Sequence, residues 1–125
     1  MRLVDTTVAV DHLRGEKSAV DLLKGLIEED EVVAASEVVR FELLAGVRDD
    51  ELEALEQFCS ALTWILVDEL VARTAGSLAR KHREAWSGID DADYLIAATT
   101  LVLDAELLTT NGRHFPMLAD LQPAY

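Results

Sequence analysis

Four polar side chains border hydrophobic stretches, where a carboxylate or an amide is least expected by chance. They are Asp5, Glu42, Asp93 and Asn111. Acids that converge from distant parts of a chain repel one another unless a cation neutralises them, and clusters of oxygen ligands suit Mg²⁺ or Mn²⁺. The leading hypothesis from these residues is a metal-dependent hydrolase of phosphodiester bonds.

Simpler structural explanations compete with this hypothesis. Asp5 would cap a helix that begins near Thr7, since Asp is favoured at that position. Asn111 precedes Gly112, a pair typical of a tight turn. Glu42 is the hardest to explain, because its neighbours one helical turn away are small or apolar. A buried carboxylate needs a charge partner, hydrogen bonds or a proton, so a salt bridge to a distant arginine stays open.

Three acids crowd the expected start of a helix over residues 91–103. One or two acids compensate the helix dipole, at about 0.3–1 kcal/mol each, whereas a third adds repulsion. Asp90 has the position of the cap. Asp93 borders the apolar stretch that follows and is the best candidate for a metal ligand. Asp91 is expected to support the site from outside the ligand set, or to bind the ion occasionally.

Hydrophobic periodicity predicts alternating strands and helices. Strands are expected over residues 2–5, 31–35, 62–67 and 106–109, with the third one buried, and helices over residues 7–14, 17–28, 36–45, 51–61, 69–84 and 91–103. The C-terminal tail is a candidate for a short last strand. This alternation predicts an α/β sandwich with a mostly parallel sheet, whose ligand lies beyond the carboxyl ends of the strands. Asp5 and Asn111 both fall at such ends.

The composition is that of one compact domain over residues 1–125. Half of the chain is hydrophobic, and no apolar run reaches the ~18 residues of a membrane-spanning helix, so no membrane association is expected. The first acid, Asp5, comes too early for a secretory signal. The single Cys59 cannot form an internal disulfide and is expected to be buried in a reducing cytoplasm.

The charge balance is strongly acidic, with 24 Asp and Glu against 11 Lys and Arg and a formal net charge of −13. This balance argues against a broad basic surface for nucleic acid. It leaves room for a nuclease with a small site, because bound metal ions change the local sign of the charge. The surplus acid has two open interpretations, a halophile-like adaptation to high salt and a basic protein partner.

Four segments together resemble the PIN-domain family, specifically the VapC-type toxin ribonucleases. The segments are 3–8 (LVDTTV), 38–46 (VVRFELLAG), 91–99 (DADYLIAAT) and 109–115 (TTNGRHF). Each motif is weak alone, and the third is the strongest. Their order and spacing across nearly the whole chain make the set specific.

The resemblance implies a three-layer α/β/α fold around a central, mostly parallel sheet. It implies an endoribonuclease that uses Mg²⁺ or Mn²⁺ and leaves a 5′-phosphate and a 3′-hydroxyl. Asp5, Glu42 and Asp93 correspond to the acidic metal-binding residues, and Asn111 takes the fourth catalytic position. An amide at that position carries no charge, which puts a second metal ion in doubt.

The remaining expected roles surround these ligands. Thr6, Thr7 and Thr110, with Asp91, would orient the ligands through hydrogen bonds. Arg113 would contact the RNA phosphate. The resemblance also implies a homodimer and a VapB-like antitoxin whose C-terminal segment blocks the active site.

Other classes fit the sequence less well. A receiver-like signalling domain that binds Mg²⁺ wants an acid pair after the first strand and a late lysine, and no lysine follows Lys81. A haloacid-dehalogenase-type phosphatase wants D-x-D-x-T, which the residues after Val4 lack. An inactive PIN fold that serves as a binding module would retain uncompensated carboxylates at a cost in stability.

Overall fold

A computed structural model describes all residues from 1 to 125. Four strands and six α-helices follow one another along the chain. The strands are β1 (Arg2–Val4), β2 (Val33–Ser36), β3 (Thr63–Ile65) and β4 (Glu106–Leu108), and the helices are α1 (Thr6–Leu13), α2 (Lys17–Glu28), α3 (Glu37–Gly46), α4 (Leu52–Ser60), α5 (Glu69–His82) and α6 (Asp91–Val102). Short 3₁₀ turns occupy Asp49–Glu51 and Gly112–His114.

The strands form one sheet in the order β3-β2-β1-β4, and every neighbouring pair is parallel. In its centre Leu3 of β1 lies opposite Ala34 of β2 and Leu107 of β4. Because connections between parallel strands are right-handed, this strand order places α1 to α4 on one face of the sheet and α5 with α6 on the other. The three-layer α/β/α expectation is confirmed.

The core lies on both faces of the sheet. All four residues of β2 are buried, as expected of a parallel strand covered on each side. A large apolar cluster joins the strands to α1 to α4 and to part of α6. A smaller cluster of Val71, Ala75, Tyr94 and Ala98 joins α5 to α6. No helix combines the length and the apolar composition needed to cross a membrane.

The strand order creates a crevice at one end of the sheet. The chain runs from β1 outward to β2 and β3, and then returns to place β4 on the other side of β1. Where the direction of winding reverses, the loops after the two adjacent strands diverge and leave room for a ligand. Asp5 directly follows β1 and Thr109 directly follows β4, so both residues lie at this crevice.

Two expectations about strands are wrong. The third strand ends at Ile65 and forms an edge of the sheet, so it is only partly buried and the following Leu66 is 73% exposed. The tail forms no strand. It contains two prolines and a left-handed residue, Asp120 at φ 57°, and neither allows a regular strand.

Candidate active site

Asp5 is a buried carboxylate, only 4% exposed. Its Oδ1 accepts a hydrogen bond from the backbone N–H of Thr6 at 2.8 Å, so Asp5 does cap α1, and the helix begins one residue earlier than expected. Its Oδ2 accepts hydrogen bonds from the hydroxyls of Thr109 at 2.7 Å and Thr7 at 3.2 Å. Asp5 is therefore both the helix cap and the proposed ligand. Its Oδ1 accepts one hydrogen bond, whereas its Oδ2 accepts two.

Thr109 is the residue that ties β4 to Asp5. Its side chain is fully buried, and its hydroxyl donates to Asp5 while accepting from the backbone N–H of Asn111 at 3.0 Å. Its carbonyl oxygen accepts from the backbone N–H of Ala124 at 3.0 Å. Thr109 was not among the residues selected from the sequence, which favoured its neighbour Thr110.

Glu42 lies on α3 and is half-buried rather than fully buried. Its Oε1 accepts a hydrogen bond from the hydroxyl of Thr6 at 2.7 Å, so a single residue connects it to Asp5. Glu42 forms no salt bridge, and its Oε2 has no hydrogen-bond donor. It lines a cleft of about 700 Å³ between α1, α3 and α4 that also contains Arg14 and Arg48.

Asp93 lies in the first turn of α6 with its side chain 13% exposed. Its Oδ2 lies 3.1 Å from Nδ1 of His114 and accepts from the backbone N–H of Asp90 at 3.3 Å. Asp90 caps the helix by accepting from the backbone N–H of Asp93 at 3.0 Å, as expected. Burial raises the pKa of the Asp93 carboxyl to about 6, although the Asp90 backbone hydrogen bond and the charge of His114 lower it.

Some of the remaining candidate residues contact the site, and others do not. The backbone N–H of Thr110 donates to the hydroxyl of Thr7 at 3.3 Å, while the Thr110 residue itself is exposed. Asn111 contacts Thr109 through its backbone, as described above. Asp91 instead accepts a hydrogen bond from Arg83 at 2.7 Å and is exposed, so its expected contact with the ligands is absent. Arg113 is exposed and makes no salt bridge.

The structure joins the expected acids by short links rather than packing them against one another. Asp5 and Glu42 are linked through Thr6, and residues 109–114 reach from Asp5 to Asp93 through the contacts of Thr109 and His114. No group of three or more His, Cys, Asp or Glu side chains is close enough to hold a metal ion. The site is therefore an open arrangement of separate carboxylates linked by threonine and histidine side chains.

Sequence reasoning missed Thr109 and His114. The hydroxyl at 109 ends an apolar strand in the same way as Asp5 does, and this shared position was the available signal. No comparable signal marked His114, because its distance from Asp93 in sequence conceals a contact that only the folded 3₁₀ turn makes.

Comparison with known proteins agrees with this geometry. Residues 2–121 match the PIN domain family. The chain is 65% identical over 125 residues to the protein named ribonuclease VapC19 of Mycobacterium tuberculosis, with all of both chains covered. It is 38% identical over 125 residues to ribonuclease VapC10 of the same organism, covering all of this chain and 93% of that one.

Solved structures give the same fold. VapBC2 from Rickettsia felis, bound to a DNA fragment from its promoter, superposes with a TM-score of 0.83 at 23% identity, covering 96% of this chain and 94% of that one. The parallel sheet, the acids at its crevice, the match over residues 2–121 and the 65% identity agree with one another. The chain therefore belongs to the PIN-domain family, among its VapC-type members.

Proposed function

We propose that this chain is a divalent-metal-dependent endoribonuclease and the toxin of a toxin–antitoxin pair. The observation that supports the proposal is the link of Asp5 to Glu42 through Thr6 at the crevice, in a chain 65% identical to the protein named ribonuclease VapC19. Because the chain belongs to the PIN family, it is not a receiver-like signalling domain. RNA cleavage separates an active enzyme from a PIN fold that only binds.

The residues fit a hard divalent cation by the chemistry of their ligands. Carboxylate oxygens suit Mg²⁺ or Mn²⁺, and Mg²⁺ is commonly held by one or two carboxylates plus substrate phosphates rather than by a complete protein cage. The protein has no group of three acids close together, so a cation here would be held by one or two carboxylates together with the RNA phosphate. Asp5 would contribute Oδ1, and Asp93 would contribute Oδ1, which has no hydrogen-bond donor in the protein.

Each side chain then has a role that its hydrogen bonds support. The hydroxyls of Thr7 and Thr109 hold Oδ2 of Asp5, which orients Oδ1 toward the crevice. Thr6 holds Oε1 of Glu42 and leaves Oε2 free to orient the attacking water and accept its proton. A bound cation would lower the pKa of that water and would neutralise negative charge on the phosphate. Asn111 and Arg113 remain proposed contacts to the RNA.

The partner proposed for the toxin is a VapB-like antitoxin. The cleft between α1, α3 and α4 offers a binding site for a peptide segment of the antitoxin. Its volume is about 700 Å³, and its lining mixes apolar residues with Glu42, Arg14 and Arg48. A segment bound there would lie against Glu42 and block access to the site. An antitoxin that carries basic side chains would also reduce the repulsion within a chain of net charge −13.

A homodimer is proposed on the basis of exposed apolar side chains. Phe41, Leu66 and Leu70 are more than half exposed, and apolar surface of this kind marks protein contacts when it is contiguous. Light scattering of the parent and of Leu66→Ser tests the assembly. A parent that remains monomeric at high concentration would contradict it.

Cleavage of a structured RNA pool tests the function. The parent protein is incubated with Mg²⁺ or Mn²⁺, with and without EDTA, at low and high salt, and the 5′ ends of the products are identified. Metal-dependent cutting that leaves 5′-phosphates is the expected result. A protein whose fold is stabilised by the metal but that cuts no RNA would support the binding module instead.

A further inference from the structure

Some of the Lys and Arg side chains form salt bridges, and others have no acidic partner. Seven of the 11 Lys and Arg side chains form salt bridges. The other four are Arg14, Arg80, Lys81 and Arg113. In a protein of net charge −13 these are the cations left to meet a polyanion, and three of the four lie on α5 and on the 3₁₀ turn 112–114.

Both of these elements border the start of α6. Arg83, at the end of α5, donates to Asp91 at 2.7 Å, and its guanidinium carbon lies 5.6 Å from the centroid of the Tyr94 ring. From the 3₁₀ turn, His114 reaches Asp93 at 3.1 Å. Three of the four unpaired cations therefore lie on the two elements that contact the start of α6.

Trp86, four residues beyond the end of α5, packs against the last residue of that helix. Trp86 stacks on His82 with ring centroids 4.6 Å apart and an interplanar angle of 19°, and its backbone N–H donates to the carbonyl of His82 at 3.0 Å. Trp86 is 38% exposed. The other tryptophan, Trp64, is engaged by the guanidinium of Arg40, which lies 4.0 Å from its ring centroid.

We propose that the end of α5 and the turn after it form the surface that holds single-stranded RNA beside the cleavage site. A base stacks on Trp86, while Lys81 and Arg113 contact phosphates. Aromatic rings combined with cations are the usual means of holding single strands, and a base paired within a duplex cannot stack on a side chain. This inference rests on the proposed ribonuclease function and assigns the surface that contacts the RNA outside the cleavage site.

Binding of a fluorescein-labelled uridine decamer tests the surface. The measurement uses Asp93→Asn with Mg²⁺, so that the RNA is not consumed. Adding Trp86→Ala should weaken binding roughly 5- to 150-fold, and Trp86→Phe should retain most of the affinity. Ile27→Ala is the control, because Ile27 is also an exposed apolar residue, on α2, and it should leave the affinity unchanged.

The phosphate contacts have their own measurement. Lys81→Gln should reduce the slope of log affinity against log salt by about 0.7 if the ammonium neutralises one phosphate. Lys24→Gln, at an exposed lysine of α2, should leave that slope unchanged.

Tryptophan fluorescence tests the stacking without altering Trp86. Trp64→Phe leaves Trp86 as the sole tryptophan, and stacking of a base should quench its emission in a way that added salt reverses. Emission that does not change while the decamer binds would overturn the proposed stacking, even if Trp86→Ala fails to fold.

The outcomes separate this inference from the proposed function. A parent that cuts RNA, with a folded Trp86→Ala variant that binds the decamer equally well, overturns the inference alone. A parent that neither binds nor cuts RNA overturns both. Loss of self-association or of antitoxin binding in Trp86→Ala, with RNA affinity unchanged, assigns the surface to a protein partner and also overturns the inference.

Discussion

Asp5 and Asp93 are the same residue type at one crevice, and the fold treats them differently. Asp5 is almost fully buried and accepts three hydrogen bonds, one from a helix N–H and two from threonine hydroxyls. Asp93 is less buried and leaves Oδ1 without a donor, and the desolvation it undergoes raises its pKa to about 6. Hydrogen bonds therefore orient the first carboxylate, whereas the second keeps one oxygen free of protein donors.

This difference indicates a division of labour within the site. The side near β1 and β4 is held by contacts that join the central strand β1 to the edge strand β4 and to the C-terminal tail. The side near α6 makes fewer contacts and lies beside the two elements that carry three of the four unpaired cations. We expect substitutions on the first side to act by displacing a ligand, and substitutions on the second side to act by removing charge.

The largest effect is expected for Asp93→Asn, which removes a charged ligand but keeps the shape of the side chain. Stabilisation by a metal ion is worth several kcal/mol, so RNA cleavage should fall roughly 10²- to 10⁴-fold. Circular dichroism should match the parent. Asp91→Asn is the control, because Asp91 contacts Arg83 outside the site, and it should cut at nearly the parental rate. Equal cleavage by both variants would remove Asp93 from the site.

A smaller effect is expected for Thr109→Val, which preserves side-chain shape and removes the hydroxyl that orients Asp5. Loss of such a supporting hydrogen bond lowers metal affinity or activity about 10- to 100-fold. Thr109→Ser should restore most of the activity. Thr110→Val tests the specificity of the effect, because Thr110 contacts Thr7 only through its backbone. Activity is measured at several Mg²⁺ concentrations, and a loss that Mg²⁺ cannot relieve would point to a purely structural role.

The raised pKa of Asp93 predicts a pH dependence of stability in the metal-free protein. The native pKa of about 6 exceeds the ordinary value of 3.8, so the native state binds this proton more tightly than the unfolded state does. Stability should therefore increase as pH falls from about 6 to about 4, relative to Asp93→Asn. Melting temperatures of the two proteins, measured across this range in EDTA, check the prediction. Parallel pH profiles would show that Asp93 is not responsible.

The smallest effect is expected for the metal-free stability of Glu42→Gln. The amide oxygen can still accept from Thr6, and the cleft loses one negative charge near Asp50 and Glu51. The melting temperature should rise slightly, with a free-energy change within about 0.5 kcal/mol. A clear fall would instead show that Glu42 pairs with Arg14 or Arg48, which line the same cleft.

Much of the fold followed from local patterns. The apolar stretch before Asp5 predicted β1, and Ser36 and Asp90 predicted helix starts because their side chains accept hydrogen bonds from backbone N–H groups. The expectation for the third strand was wrong because hydrophobicity alone cannot distinguish a central strand from an edge strand. β3 pairs only with β2, so it is partly buried, and Leu66 after its end is exposed.

The sequence by itself determined the alternation of elements, the acidic charge and the identity of Asp5, Glu42 and Asp93 as candidates. These depend on residue type and on spacing within one segment. The tertiary structure alone decided that Thr109 holds Asp5, that Thr6 holds Glu42 and that His114 contacts Asp93. Those contacts join segments far apart in the chain, and only the packing of strands and helices brings such segments within hydrogen-bonding distance.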